Sequence, residues 1–168
     1  MDRKISFINR VMGKLLRILK RGFEFLFPNN FYFSKRGYCT CCEKNVLFVS
    51  YDSWLRDHFN CRNCGSGPRD RALMYVIQQQ YPNWKDFAIH ESSPRPGSPS
   101  DNLKRHCKNY TPTHFYFDHP FGTIVNGFRN EDLEKQTFRD AVFDLVVTGD
   151  VMEHVNQPEK VFEEVYRT

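Results

Sequence analysis

Six cysteines stand at positions 39, 41, 42, 61, 64 and 107, and five of them fall between Cys39 and Cys64. Their spacing is that of a metal centre. Cys39-x-x-Cys42 is followed, after eighteen residues, by Cys61-x-x-Cys64-Gly65. A CxxC turn lets two thiolates converge on one ion while backbone N–H groups of the turn hydrogen-bond the sulfurs. Two such turns close a tetrahedral shell with no open position, so the chemistry expected is structural zinc binding. Cys41 offers a rival to its neighbours as ligand, and His58 could replace one thiolate. Buried free thiols are the bland alternative.

A second set of candidates lies at expected strand ends. Glu91-Ser92-Ser93, Asp118-His119 and Gly149-Asp150 each follow or end an apolar stretch. In open α/β sheets a ligand sits beyond the carboxyl ends of the strands. Acids there accept hydrogen bonds from hydroxyl or amino groups, so three in succession point to a polar, nucleoside-like ligand. Arg69 and Arg71 open a short helix, where cations oppose the helix dipole. They read either as a solvated first turn or as a fork for a carboxylate or phosphate.

The elements that must position these groups follow from periodicity. Ile5, Ile8, Met12, Leu15, Leu19, Phe23 and Leu26 repeat every three or four residues, with Arg10, Lys14, Arg17, Lys20 and Arg21 between them. This predicts a basic amphipathic helix over 4–27, stopped at Pro28. It either docks on a protein surface or lies on an anionic membrane. Within the cysteine unit, 46–49 reads as one strand and Trp54-Leu55 or His58-Phe59 as the start of another. Residues 69–81 form a helix with Leu73, Val76 and Ile77 on one face. Strands are expected at 87–91, 115–118 and 143–150, a helix at 101–108, and a loop over 119–130. A last helix begins at Pro158, and Val161, Phe162 and Val165 supply its apolar face. Alternating strands and helices predict a parallel α/β sheet.

Composition narrows the classes. The chain has 168 residues, 40% of them hydrophobic and 15% aromatic, which suits a packed core. Its net charge is +4, but residues 1–38 carry +7 and the remainder −3. A body of that sign is a poor duplex-binding surface, so nucleic acid is not an expected partner. Lys14, Arg17, Lys20 and Arg21 interrupt any signal-peptide core. With closely spaced cysteines, this favours a reducing, cytoplasmic setting, peripheral to the inner membrane surface if the arm binds lipid. Three units are expected: an arm at 1–37, a zinc ribbon plus short helix at 38–82, and an α/β unit at 83–168.

The segment Phe138-Arg139-Asp140-Ala141-Val142-Phe143-Asp144-Leu145-Val146-Val147-Thr148-Gly149-Asp150-Val151-Met152-Glu153-His154-Val155, with Pro158, Glu164 and Arg167 behind it, resembles the class I S-adenosylmethionine-dependent methyltransferases, the type 11 group in particular. The resemblance covers about 86–168. The cysteine knuckles and short Arg-containing helix also resemble an N-terminal extension on some bacterial members. What the resemblance implies is a partial Rossmann-like sheet, the first four strands of that fold. Methyl transfer to an unknown small-molecule, glycan or lipid-linked acceptor would follow. Glu91 and Ser92 would face the methionine end of S-adenosylmethionine. Asp118 would take the ribose hydroxyls, Asp132 and Leu133 the adenine edge, and Gly149 and Asp150 the methyl side. His154 would be the general base, or else a histidine packed under the following helix. The family's glycine-rich first loop appears here as Glu91-Ser-Ser-Pro-Arg-Pro-Gly97, which leaves Gly97 as its remaining glycine. Family members continue past the Tyr-Arg helix with further strands. The chain is therefore expected to be an inactive fragment of a longer methyltransferase. A competing function is a zinc-ribbon docking module without catalysis, built on Arg56, Arg62, Arg69 and Arg71.

Overall fold

The computed structural model describes residues 31–97 and 99–168. The amphipathic stretch 4–27 lies outside the described residues, as does most of the arm.

The cysteine unit is a three-stranded antiparallel sheet of β1 (Phe33–Cys39), β2 (Lys44–Ser50) and β3 (Asn60–Cys61), in the order β1-β2-β3. β1 starts inside the stretch that the sequence assigned to the arm. The polar run Ser34-Lys35-Arg36 hides it, and its place at the sheet edge explains that run. Lys35 and Arg36 are exposed there, and such charges discourage further strand pairing. The expected second strand at Trp54-Leu55 or His58-Phe59 gives way to a single helical turn, α1 (Leu55–His58), and β3 follows it.

Helix α2 (Pro68–Gln80) joins the two units. Pro68 occupies its first turn, where a missing N–H costs nothing, and the Asp70 carboxylate accepts the Gly67 N–H at 2.8 Å. Its buried face is Met74 and Ile77, with Leu73 packed beside them. Val76, expected on that face, is exposed.

The larger sheet has the order β6-β7-β5-β4-β8. Its strands are β4 (Ala88–Ser92), β5 (Asn109–His114), β6 (Ile124–Val125), β7 (Phe128–Asn130) and β8 (Leu145–Thr148). The pairs β4·β5, β4·β8 and β5·β7 are parallel, and β6·β7 is an antiparallel hairpin. This is a mixed sheet with a parallel core, consistent with a Rossmann-like domain. Sequence order reverses at β4, whose neighbours are β5 on one side and β8 on the other. Helix α3 (Pro99–His106) crosses from β4 to β5, and α4 (Pro158–Arg167) follows β8.

Two expectations fail here. The second strand is not 115–118 but Asn109–His114, so Asp118 lies four residues past its end in a loop. Pro112 disguises the strand. It is tolerated because β7 pairs only with Thr113 and His114, leaving Pro112 with β4 as its one neighbour. The expected loop 119–130 contains the β6–β7 hairpin. Asn126 and Gly127 have φ of 52° and 85°, the left-handed pair that a two-residue turn between strands requires.

One continuous core runs through both units. Cys39, Cys41, Cys42, Phe48 and Cys61 from the first pack with Met74, Ile77 and Trp84, and onward with Ile89, Leu103, Cys107 and Val147. Polar ties reinforce this junction. The Asn102 amide donates to the carbonyls of Thr40 (3.2 Å) and Cys41 (3.1 Å), and the Thr40 hydroxyl donates to the Arg71 carbonyl at 2.7 Å. Among the described residues, no helix is long and apolar enough to cross a membrane.

Candidate functional site

Two turns bring four sulfurs together. In the first, the Glu43 N–H donates to the Cys39 carbonyl at 2.8 Å; in the second, the Gly65 N–H donates to the Cys61 carbonyl at 2.8 Å. The residue closing each turn is left-handed, Glu43 at φ 54° and Gly65 at 79°. The Sγ atoms of Cys39, Cys42, Cys61 and Cys64 all lie within 4.8 Å of one another. Cys39 to Cys64 is 3.8 Å and Cys42 to Cys61 is 3.9 Å. A tetrahedron with Zn–S bonds of ~2.3 Å has edges of ~3.8 Å, so the cluster could hold zinc.

The rival ligands fall outside that set. Cys41 is buried beside it, and its thiol hydrogen-bonds the Cys39 sulfur, which it helps to hold low. His58 is engaged through Nδ1 with Asp52 at 2.7 Å. Ser66 contacts the cluster from the second turn, its hydroxyl 3.2 Å from Cys64 Sγ and 3.4 Å from Cys39 Sγ. The Cys39 sulfur and burial push the Cys64 thiol up, and burial pushes Cys42 up. Thiols raised in this way would ionise together only with a cation among them, which is the condition a bound metal would supply.

The second feature is a cavity of about 570 Å³ beyond the carboxyl ends of β4, β5 and β8. β4 contributes Ser92, with Ser93 and Arg95 behind it. The end of β5 contributes Thr113 and His114, then Phe115. The loop after β7 supplies Glu131, Asp132, Leu133 and Glu134. The end of β8 supplies Gly149, Asp150 and Val151, and the 3-10 turn Met152–His154 adds His154, followed by Val155 and Asn156. Polar groups and apolar side chains thus share the wall.

Local structure explains why the ends of β4 and β8 are open. Ser93 is left-handed at φ 53°, and its N–H donates to the Thr113 carbonyl at 2.7 Å. Asp150 is left-handed at φ 54°. Non-glycine residues held there store roughly 1–3 kcal/mol each, and such strain gathers at binding sites. The Glu134 carboxylate accepts the Asn156 N–H and joins the two loops at the rim. The Ser92 hydroxyl is buried on this wall with no hydrogen-bond partner among the described residues. Leaving a buried hydroxyl unpaired costs about 1–3 kcal/mol, which a polar ligand would recover.

Of the residues singled out in the sequence, Ser92, Asp132, Leu133, Gly149, Asp150 and His154 meet on this cavity. His154 is exposed on its turn rather than packed under α4. Three others do not line it. Glu91 points to the opposite face of β4, where its carboxylate accepts the hydroxyls of Ser100 and Tyr110, and burial pushes its pKa up. Asp118 lies in the loop beyond β5 and is exposed. Gly97 belongs to the cysteine unit's border. At φ 77°, a Cβ there would sit 2.5 Å from the Cys64 carbonyl oxygen. Its glycine serves close packing on the second knuckle.

Arg95, Glu134, Val155, Asn156 and the end of β5 were missed. No local signal marks the arginine or the rim, while the strand was displaced by the Phe115-Tyr-Phe run. Glu131 lines the cavity but its carboxylate is engaged, accepting from Arg129 Nε at 2.6 Å and from the Thr137 N–H at 2.8 Å. Three arginines of the docking-module reading have partners within the chain, Arg62 lying over the Phe31 ring at 5.4 Å. Arg69 pairs with Asp57 and Asp150, and Arg71 donates to the carbonyls of Ser66 and Phe59 while stacking on Phe48 at 4.3 Å.

The family described as "Methyltransferase domain" matches residues 98–168, less than half of the chain. That stretch runs from α3 to α4 and carries the β5, β7 and β8 sides of the cavity. No curated protein matches the chain. No solved structure matches it.

Proposed function

We propose that the cavity binds S-adenosylmethionine and that the chain serves methyl transfer, with zinc held by Cys39, Cys42, Cys61 and Cys64 as a structural ion. The observation that carries this reading is the coincidence of a buried Ser92 hydroxyl, without a partner among the described residues, with a cavity whose β8 side falls in the methyltransferase match. When bound, the cofactor supplies an electrophilic sulfonium methyl group. The work of such a site is alignment and exclusion of water.

The assignments follow the wall. Ser92 donates a hydrogen bond for which the described residues offer no partner. Asp132 and Leu133 flank the nucleoside, one as acceptor and one as apolar cover. Gly149 keeps the β8 side open, since a Cβ there would meet nothing within 4 Å. His154, exposed at the rim, is the group assigned to take a proton from the acceptor. The ribose role given to Asp118 has no support from the geometry. Thr113–Phe115 occupy the corresponding strand end, and their backbone is the nearer candidate.

Photo-crosslinking of labelled S-adenosylmethionine to the full chain, followed by peptide mapping, tests the placement. Label in 131–134 and 149–156 is the expected result. Label confined to the cysteine unit, or none that unlabelled cofactor competes away, would remove the proposal.

A further inference from the structure

We propose that Arg69, which lies outside the methyltransferase match, is a positioning residue for the cavity, holding the β8 end in place from the cysteine unit's side. The inference rests on the cavity being the cofactor site.

An alternating chain of charges runs from the cysteine unit to the end of β8. Arg69 Nε lies 3.2 Å from Asp57 Oδ1, and its Nη1 lies 2.8 Å from Asp150 Oδ1. Asp150 Oδ2 is 3.3 Å from Arg95 Nη1, and Arg95 Nη2 is 3.2 Å from Asp70 Oδ1. The two oxygens of Asp150 are therefore taken by arginines from two separate segments. Asp150 and Arg95 both line the cavity, whereas Arg69 does not.

Arg69 sits on a fixed base. It is in the first turn of α2, and Arg71, two residues on, is tied to the Ser66 and Phe59 carbonyls at the edge of the second knuckle. Asp150, by contrast, sits on strained backbone at the end of β8. It is left-handed, lies between Gly149 and Val151, and precedes the turn Met152–His154. Taking away one of its two arginines leaves a strained backbone with a single anchor. The pairs are partly solvated, with side-chain exposures of 55% for Arg69 and 36% for Asp150. An ion pair of that exposure shifts an equilibrium by up to about fivefold. It is too weak to carry the fold and sufficient to bias a loop.

The test compares wild type, Arg69→Ala and Arg69→Lys in the full chain with its zinc. S-adenosylhomocysteine affinity is read by calorimetry, and amide exchange is read over residues 149–155. Arg69→Ala should bind about three- to fivefold more weakly and exchange faster over that segment, with zinc content and melting midpoint unchanged. Arg69→Lys should recover part of both, since an ammonium can still reach Asp150. Unchanged exchange in Arg69→Ala overturns the inference. So does an equal loss in both variants accompanied by loss of zinc or of melting midpoint, which marks a merely structural role. If wild type fails to bind S-adenosylhomocysteine, the cofactor reading falls, while the exchange comparison still decides the role of Arg69.

Discussion

Replacing Gly97 by alanine should damage the junction between the cysteine unit and the α/β sheet. The new Cβ would stand 2.5 Å from the Cys64 carbonyl oxygen, and that atom belongs to the backbone of a knuckle, not to a side chain that can swing away. Gly97 is also left-handed at φ 77°, which costs an L residue about 1–2 kcal/mol. Forcing an extra methyl into packed surroundings adds about 1–3 kcal/mol. The total is about 2–5 kcal/mol. Gly127→Ala supplies the control, because Gly127 is left-handed at φ 85° but its Cβ would meet nothing within 4 Å. Urea unfolding of the zinc-loaded chain, followed by the fluorescence of buried Trp84, measures both variants. Gly97→Ala should lose at least 1 kcal/mol more than Gly127→Ala, by the overpacking contribution alone. Equal losses would refute the claim that Gly97 exists for its contact with Cys64.

Chelation should remove about one equivalent of zinc per chain and cost the core where Cys39, Cys42 and Cys61 pack against Met74 and Trp84, seen as a lower Trp84 unfolding midpoint. Stability should also fall in acid through His90. Burial holds this ring at about 4, against roughly 6.5 when unfolded, so the unfolded chain binds a proton that the folded chain does not. The stability is complete above about pH 6.5 and is lost down to about pH 4, by roughly 3 kcal/mol. A His90→Phe variant, which keeps a ring against Phe138 and Phe143, should show a shallower fall of its urea midpoint over that range. Equal slopes would put the titration elsewhere. Asp118→Ala should leave S-adenosylhomocysteine affinity within about twofold, well short of the ~1.5–3 kcal/mol lost with hydrogen bonds to a charged group; a larger loss would return Asp118 to the site.

What the sequence made legible was local. The knuckles follow from two-residue spacing, β8 from the run Leu145–Thr148, and α4 from Pro158 at its first turn. The hairpin was read as loop, because its signal in Val125-Asn126-Gly127-Phe128 is a turn and not a period. β5 was hidden because Asn109-Tyr-Thr-Pro-Thr-His carries polar groups and a proline where β4 and β7 supply the burial. The contacts that shape the site are not local. Arg69 and Asp150 are 81 residues apart, and nothing in either neighbourhood announces the other. Glu91 shows the converse error. A strand-end acid was assigned to a ligand, yet alternation along β4 turns it to the face of Ser100 and Tyr110 while Ser92 takes the cavity side.

The most direct test of the central claim is a calorimetric titration of the full, zinc-loaded chain with S-adenosylhomocysteine, run beside Gly149→Leu. Gly149 has room for a side chain, and that side chain would fill the β8 wall of the cavity. Saturable one-to-one binding by wild type, with binding abolished in a Gly149→Leu chain of unchanged melting midpoint, is the predicted result. A folded wild-type chain that takes up no S-adenosylhomocysteine, or a Gly149→Leu chain that binds it equally well, would contradict the assignment of this cavity to the cofactor.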